Sequence, residues 1–208
     1  GNNLLTLIEV QSGKYLEEFE HKFAQYCNKK HAIAVNNGTS ALEIACHALD
    51  LKSGDEVIIP SFCIISLAVA IIRQGGVPVP VDIEPDTWNI DPSKIQEAIT
   101  SRTKALIVVD TYGHPADYDS IIPIAKKNNL IIIEDAAESH GAMYKGKICG
   151  SIGHISTFSF YGNKLITTGE GGMVLTDDEK LYVKMKSFKN LHFLDKNEKR
   201  FHHDNLGF

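Results

Sequence analysis

Hydrophobic residues in this chain occur in short continuous runs, and the stretches between the runs repeat their apolar positions every three or four residues. The runs lie at 31–35, 56–60, 77–83, 104–110 and 130–135. Because residues in these runs are apolar at nearly every position, the runs predict strands buried on both faces, and the stretches between them predict crossover helices. The pattern therefore predicts a layered α/β fold with a mostly parallel sheet.

Two further strands are predicted at 155–160 and 172–177, and the segment between them carries a lysine. Lys164 lies in this segment, and Gly169, Gly171 and Gly172 follow it. A lysine that meets a ligand needs a rigid strand behind it and small residues beside it, whereas a lysine on a solvated helix face needs neither. We therefore treat Lys164 as a candidate functional residue.

Composition and charge narrow the class of protein. The 208 residues are 43% apolar and 23% charged with a net charge of -5, which is typical of a soluble globular protein and gives little support for a nucleic-acid partner. No apolar run has the roughly 18 residues that a membrane span needs, and the first residues do not resemble a signal peptide, so we expect a cytoplasmic protein. Four widely spaced cysteines without a CxxC pair argue against a zinc site or a disulfide framework, and we predict no metal.

The ends of the predicted strands carry the residues suited to ligand binding, since ligands of α/β sheets bind beyond the carboxyl ends of the strands. Gly38, Thr39 and Ser40 follow the run 31–35 and open a helix, where backbone N–H groups and hydroxyls suit a phosphate. Capping of that helix by Thr39 or Ser40 is the alternative interpretation.

A second strand end holds Asp135, which closes a strand so apolar that its carboxylate must reach solvent or a cation. Capping of the next turn would also explain this aspartate. The third end holds Ser159, five residues before Lys164. A phosphate site, an acid and a lysine together are the groups that pyridoxal phosphate requires, for its phosphate, its pyridine nitrogen and its aldehyde.

Long stretches of the chain resemble a known family. The segments "NNGTSAL", "LKSGDEVIIPSF", "TKALIVVDTYGHPADYDSI" and "IIIEDAAESHGAMYKGKICGSIGHISTFSFYGNKLITTGEGGMVLTDD" are similar, in order, to sugar aminotransferases of the DegT/DnrJ/StrS type over about residues 10–190. This resemblance implies a three-layer α/β/α sandwich, the large domain of fold type I enzymes dependent on pyridoxal phosphate (PLP). Within this family, the sequences of these segments are most similar to those of perosamine synthases.

The resemblance assigns roles to single residues. It implies that Lys164 attaches the cofactor covalently and later moves a proton, that Asp135 pairs with the pyridine nitrogen, and that Glu138 lies near the cofactor's 3-hydroxyl. It implies that the phosphate is bound by Gly38, Thr39, Ser40 and Ser159. Relatives stack an aromatic residue on the cofactor ring, but this chain has Ile64 at that position, so either Ile64 packs on the ring or Phe62 replaces it.

The resemblance also implies partners and a domain organisation. The amino donor would be glutamate, the acceptor a nucleotide-linked 4-keto-6-deoxy sugar for surface polysaccharide or amino-sugar synthesis, and the enzyme a homodimer cycling between PLP and pyridoxamine phosphate (PMP). We expect an N-terminal helical segment at 1–30, a PLP-binding large domain at 31–190, and at 191–208 the start of a connection to a C-terminal small domain that the chain lacks.

Two other functions remain open from the sequence. The chain could be a different fold-type I enzyme, such as a lyase or dehydratase, or a non-catalytic regulatory module that keeps the cofactor pocket. Two residues outside the candidate site are given structural roles: Trp88 as a packing residue under a loop, and His140 as a hydrogen-bonded loop residue.

Overall fold

The computed structural model describes residues 13–190. The helices are α1 (Lys14–Tyr26), α2 (Gly38–His47), α3 (Ser66–Arg73), α4 (Pro92–Ala98), α5 (Tyr118–Lys127) and α6 (Glu179–Lys189). The strands are β1 (His31–Val35), β2 (Glu56–Pro60), β3 (Val77–Val81), β4 (Thr103–Val109), β5 (Ile131–Asp135), β6 (Met143–Tyr144), β7 (Lys147–Ile148), β8 (Ile155–Ser159) and β9 (Gly172–Thr176). The expected N-terminal segment is described only in part, and the expected connection at 191–208 lies outside the described residues.

Seven strands form one sheet in the order β1-β9-β8-β5-β4-β2-β3, while β6 and β7 pair separately. The neighbours from β8 to β3 pair in parallel, and β9 runs antiparallel to both β1 and β8. The prediction of a mostly parallel sheet is confirmed. The strand bounds lie within one or two residues of the predicted runs, because those runs are bounded by polar or turn-forming residues.

Helices cover both faces of the sheet. On one face, alternate residues such as Val57 and Ile107 pack with α2, α3 and α6 in one hydrophobic cluster. On the other face, Ile58 and Leu106 pack with α4 and α5 in a second cluster, and Phe158 packs against α1 in a third. The alternation of strand side chains thus buries both faces, and the three layers are confirmed.

One predicted strand departs from the buried pattern. The run 77–83 was expected to be buried, but β3 ends at Val81, and Val81 is the one buried residue of the strand, whereas Val77 and Pro80 are exposed. It is the last strand of the sheet and pairs only with β2. Pro78 and Pro80 remove backbone donors from one side of the strand, which suits a free sheet edge. Among the described residues, no helix is long and apolar enough to cross a membrane.

Candidate functional site

The strand ends singled out from the sequence converge on one pocket. It has a volume of about 630 Å³ and lies beyond the carboxyl ends of the central strands. Seven of the predicted site residues line it, namely Gly38, Thr39, Ile64, Asp135, Glu138, Ser159 and Lys164. Ser40 does not line this pocket. The fold therefore brings the lysine, the acid and the start of α2 together.

The loop that carries Lys164 is pinned to the end of β8. The N–H of Lys164 donates to the Tyr161 carbonyl (2.9 Å), and the N–H of Thr168 donates to the Phe160 carbonyl (3.0 Å). Tyr161 also forms an isolated bridge with Gly169. These hydrogen bonds fix the backbone of the loop at Lys164. The side chain of Lys164 is 16% exposed and lines the pocket.

Glu138 links Lys164 to a second loop. Its Oε1 accepts from the Lys164 Nζ at 3.1 Å, and its Oε2 accepts from the Tyr112 N–H at 2.9 Å. Tyr112 lies in the left-handed region with φ 52°. One carboxylate therefore positions both the candidate reactive amine and an aromatic residue of the pocket wall.

Asp135 is a buried acid at the end of β5. Its side chain is 4% exposed, and burial raises its pKa to about 6, although the Ala137 N–H and the nearby Lys164 charge favour the ionised form. The Ala137 N–H donates to Oδ1 (3.1 Å), and the Thr157 hydroxyl lies 3.4 Å from the same oxygen. Thr157 was missed from the sequence, although its spacing of two from Ser159 places both side chains on one face of β8.

The first turn of α2 is capped by a residue that the sequence analysis did not name. The side chain of Asn37 accepts from the Ser40 N–H at 2.8 Å, so Asn37 is the N-cap and the prediction of a Thr39 or Ser40 cap is wrong. Ser40 is buried, 4% exposed, which explains why it does not reach the pocket. Within residues 13–190, no hydrogen-bond acceptor is paired with the N–H of Gly38 or Thr39. Both donors remain available at the helix N-terminus.

Close packing fixes the shape of this end of the pocket. A Cβ on Gly38 would lie 2.8 Å from the Ser159 Cβ, so α2 and β8 approach closely only because residue 38 is glycine. The Thr39 and Ser66 hydroxyls lie 3.0 Å apart on the same pocket wall. Free amides and hydroxyls on a rigid wall fit a phosphate group, and the buried acid and the lysine fit the rest of a pyridoxal cofactor.

Part of the pocket wall is apolar. Ile64 is 62% exposed and lines the pocket together with Phe62, which is 37% exposed. Trp88 packs edge-to-face on Phe62 at 4.9 Å but is 47% exposed, so the prediction of a packing residue under a loop is wrong. Cys63 is half-buried and also lines the pocket, whereas the other three cysteines are buried.

His140 also differs from its prediction. It is 4% exposed, and neither ring nitrogen has a hydrogen-bond partner among the described residues. The ring packs against Phe158 and Phe160, with centroids 5.1 and 5.6 Å away. Burial lowers its pKa, and the charge of Lys164 lowers the pKa further. The expected hydrogen-bonded loop histidine is instead a buried imidazole that favours its neutral form.

A buried acidic cluster lies outside the pocket lining. Ligand atoms of Asp110, Glu134 and Cys149 lie within 4.8 Å of one another. Asp110 accepts three hydrogen bonds, two from loop groups and one from the start of α5, and Glu134 accepts four, three from loop amides and one from β8. Burial, followed by the Glu134 charge, raises the pKa of Asp110 to about 7. Because both carboxylates are already engaged with the surrounding loops, we assign them the role of bracing those loops.

Comparison with known proteins agrees with this geometry. The model of the DegT/DnrJ/EryC1/StrS aminotransferase family matches residues 3–208. A GDP-perosamine synthase of Caulobacter vibrioides is 51% identical over 84% of the chain, which corresponds to 47% of that protein.

Two solved structures share the fold. DesV of S. venezuelae, in complex with a ketimine intermediate, has a TM-score of 0.87 and 40% identity over 94% of this chain and 52% of that one. NtdA of Bacillus subtilis, with bound cofactor PMP, has a TM-score of 0.85 and 38% identity over 99% of this chain and 48% of that one. The chain thus spans about half the length of these relatives. Its fold is that of the fold-type I aminotransferases, and the chain belongs to the DegT/DnrJ/EryC1/StrS aminotransferase family.

Proposed function

We propose that the chain forms the PLP-binding part of a sugar aminotransferase. The observation that carries this proposal is the meeting of Lys164, Asp135 and the free N-terminus of α2 in one pocket. The same three features are the ones that a pyridoxal cofactor uses, and they come from three separate strand ends. Family membership supports the same class of reaction.

Each part of the cofactor has a candidate group in the pocket. Gly38, Thr39 and Ser159 would hold the phosphate, and Asp135 would pair with the pyridine nitrogen. Ile64 or Phe62 would cover the ring face. We leave Ser40 out of the direct contacts, because it is buried outside the pocket lining. When bound, pyridoxal phosphate supplies an aldehyde that condenses with amines and a ring that withdraws electrons.

The residues of the chain would control charge and protons around that ring. With a pKa of about 6, Asp135 is largely ionised at neutral pH, and its burial keeps water from screening its charge on a partner nitrogen. Lys164 would bind the aldehyde carbon through Nζ and later carry a proton between substrate and cofactor. Glu138 would hold the Lys164 Nζ until the amine reacts.

The acceptor and donor follow from the family. Relatives carry the names of GDP-perosamine synthase and of dTDP-amino-sugar transaminases, so we propose a nucleotide-linked keto sugar as acceptor. The similarity to GDP-perosamine synthases favours a 4-keto-6-deoxy sugar, and we propose glutamate as the donor. Because a relative is named as a spore coat polysaccharide biosynthesis protein, we propose a role in polysaccharide or amino-sugar synthesis. We further propose a cytoplasmic homodimer.

The donor half-reaction tests this function. The intact protein would be loaded with pyridoxal phosphate, and the visible absorbance would be followed after glutamate is added. The proposal expects loss of the visible band and release of 2-oxoglutarate in equal amount. A cofactor that binds but does not respond to glutamate would favour a lyase or dehydratase. A protein in which Lys164→Ala changes neither the spectrum nor binding would favour the non-catalytic module.

A further inference from the structure

Three exposed aromatic side chains stand together at the mouth of the pocket. Phe62, Trp88 and Tyr112 are 37%, 47% and 73% exposed. Their ring centroids are 4.9 Å (Phe62–Trp88), 6.2 Å (Phe62–Tyr112) and 6.4 Å (Trp88–Tyr112) apart, and the rings are inclined by 86°, 58° and 56°. We call this group the aromatic rim. Three rings inclined in this way form a concave apolar surface rather than a closed core.

Two of these rings are carried on strained backbone. Trp88 and Tyr112 have φ values of 62° and 52°, in the left-handed region that bulky residues rarely adopt. Such a conformation costs free energy and persists only where the surroundings fix it, which is common at ligand sites. The aromatic rim is therefore maintained despite the free-energy cost of two left-handed backbone conformations.

Buried polar contacts supply that fixation. Asn89, next to Trp88, is 1% exposed; its Oδ1 accepts from the Thr111 N–H (3.0 Å), and its Nδ2 donates to the His114 carbonyl (2.9 Å). The Thr111 hydroxyl donates to the Trp88 carbonyl at 3.3 Å. Asn89 and Thr111 thus clamp the two loops that carry Trp88 and Tyr112, and Glu138 fixes the Tyr112 amide in addition.

We infer that the aromatic rim is the subsite for the planar base of the nucleotide-linked substrate, an inference that rests on the proposed function. Phe62 and Tyr112 line the same pocket as Lys164, so a substrate that reaches from the amine to solvent on this side passes them. A flat heteroaromatic ring stacks on aromatic faces, and such stacking does not depend on which base is present. The rim therefore provides affinity for a nucleotide without selecting a purine over a pyrimidine.

The sequence provides a direct reporter for this subsite. Trp88 is the only tryptophan among the 208 residues, and the fluorescence that Trp88→Phe removes from the intact protein reports on the rim. Titration of the intact, cofactor-loaded protein with GDP or dTDP is expected to quench this fluorescence saturably. Inorganic pyrophosphate, which has no base, is expected to leave the fluorescence unchanged.

Variants separate stacking from structural effects. Tyr112→Asn removes the ring but keeps a residue that tolerates the left-handed backbone, and Phe62→Leu keeps an apolar side chain. Each is expected to weaken GDP and dTDP binding about tenfold. Tyr15→Leu, at a tyrosine 84% exposed on α1, is the matched control and should bind as the wild type does.

Three results would overturn the inference. The first is quenching by pyrophosphate equal to that by GDP, and the second is unchanged nucleotide affinity in both rim variants. The third is a fluorescence change that follows protein concentration alone, as expected if a second copy of the chain covers the rim. The visible spectrum of the bound cofactor is recorded in the same samples. Loss of cofactor binding in the wild type would count against the proposed function, whereas intact cofactor binding with unchanged nucleotide affinity in the variants would count against the subsite only.

Discussion

The Nζ of Lys164 and the Oε1 of Glu138 form an ion pair at 3.1 Å, and both side chains are largely shielded from solvent, at 16% and 34% exposed. The second oxygen of the same carboxylate accepts from the Tyr112 N–H. The position of the Lys164 amine is thereby connected to the position of the Tyr112 loop at the pocket mouth. Glu138 can hold both partners only while its carboxylate keeps this orientation.

Two substitutions at Glu138 separate its two contacts. Glu138→Gln keeps an oxygen that can accept from Tyr112 but removes the charge that attracts Lys164, and Glu138→Ala removes both. We expect hydrogen exchange of the Tyr112 amide to accelerate about fivefold to tenfold in Glu138→Ala and to change little in Glu138→Gln, since one hydrogen bond contributes about 1 kcal/mol. Site-resolved exchange by NMR measures this difference.

Acylation of lysines in the same two variants tests the other contact. Lys164 is expected to react faster with acetic anhydride in both, because its Nζ is no longer held by the carboxylate. Lys22, which pairs with Glu18 on the surface of α1, serves as the internal reference. Equal Lys164 reactivity in wild type and variants would contradict the role of Glu138.

Asp135 is expected to reduce the stability of the protein without cofactor. Because its pKa is raised to about 6 in the folded state, against 3.8 ordinarily, the folded state binds the extra proton between these values. Its contribution to the free energy of unfolding therefore falls as pH rises from about 4 to 6. Asp135→Asn should stabilise the cofactor-free protein at pH 7 by on the order of 2 kcal/mol and weaken cofactor binding.

Urea unfolding at several pH values measures this effect. Asp177 provides a control of opposite sign, since partial burial is outweighed by the hydrogen bond from the Lys30 N–H and by the charge and hydrogen bond of Lys29, which together hold its pKa below the ordinary value. Asp177→Asn should lower stability at pH 7. If Asp135→Asn also lowers stability at pH 7, the carboxylate is not strained by burial as described.

Gly38→Ala is expected to disrupt the end of the pocket that suits a phosphate. The added Cβ would meet the Ser159 Cβ at 2.8 Å, so α2 or β8 must shift, at a cost of about 1–3 kcal/mol. Ser159→Ala should not relieve the clash, because it keeps the Cβ, whereas Ser159→Gly should relieve part of it. Thermal unfolding of the single and double variants measures both effects.

Gly162→Ala is the matched control for Gly38→Ala. A Cβ at residue 162 would meet only the Gly169 carbonyl oxygen at 4.0 Å, which is ordinary contact. We expect this variant to unfold like the wild type. A Gly38→Ala protein as stable as Gly162→Ala would show that the close approach of α2 and β8 is not required.

His140 is expected to make the protein sensitive to acid. Burial lowers its pKa in the folded state, so below about pH 6.5 the unfolded state binds more protons and the free energy of unfolding decreases as pH falls. His140→Leu should flatten this dependence, since an apolar side chain suits the contact with Phe158 and Phe160. His21→Gln, at an exposed position of α1, should leave the pH profile of wild type in place.

The sequence predicted the strands well, because each central strand is a continuous apolar run ending at a polar or turn-forming residue. It also predicted which strand ends meet, since the carboxyl ends of parallel strands share one edge of the sheet. It could not place β9 between β1 and β8, because the order of strands depends on pairings between segments distant in sequence. The exposure of β3 was readable from Pro78 and Pro80 but was outweighed by its apolar residues.

Within the candidate site, the type of a residue did not predict its structural role, because that role depends on the backbone around it. Asn37 caps α2 although Thr39 and Ser40 are also good capping residues, because the cap is set by where the backbone turns. The left-handed backbones of Trp88 and Tyr112, and the clamp by Asn89, depend on hydrogen bonds between loops far apart in the chain. No local pattern carries that information.

Chemical mapping of the amine that binds pyridoxal phosphate tests the assignment of Lys164 most directly. The intact protein would be incubated with the cofactor, reduced with borohydride and digested, and the modified peptide identified by mass spectrometry. We expect one stoichiometric modification, on Lys164, and its loss in Lys164→Ala. Stoichiometric modification of another lysine, or of none, would contradict the assignment of Lys164 and of the pocket around it.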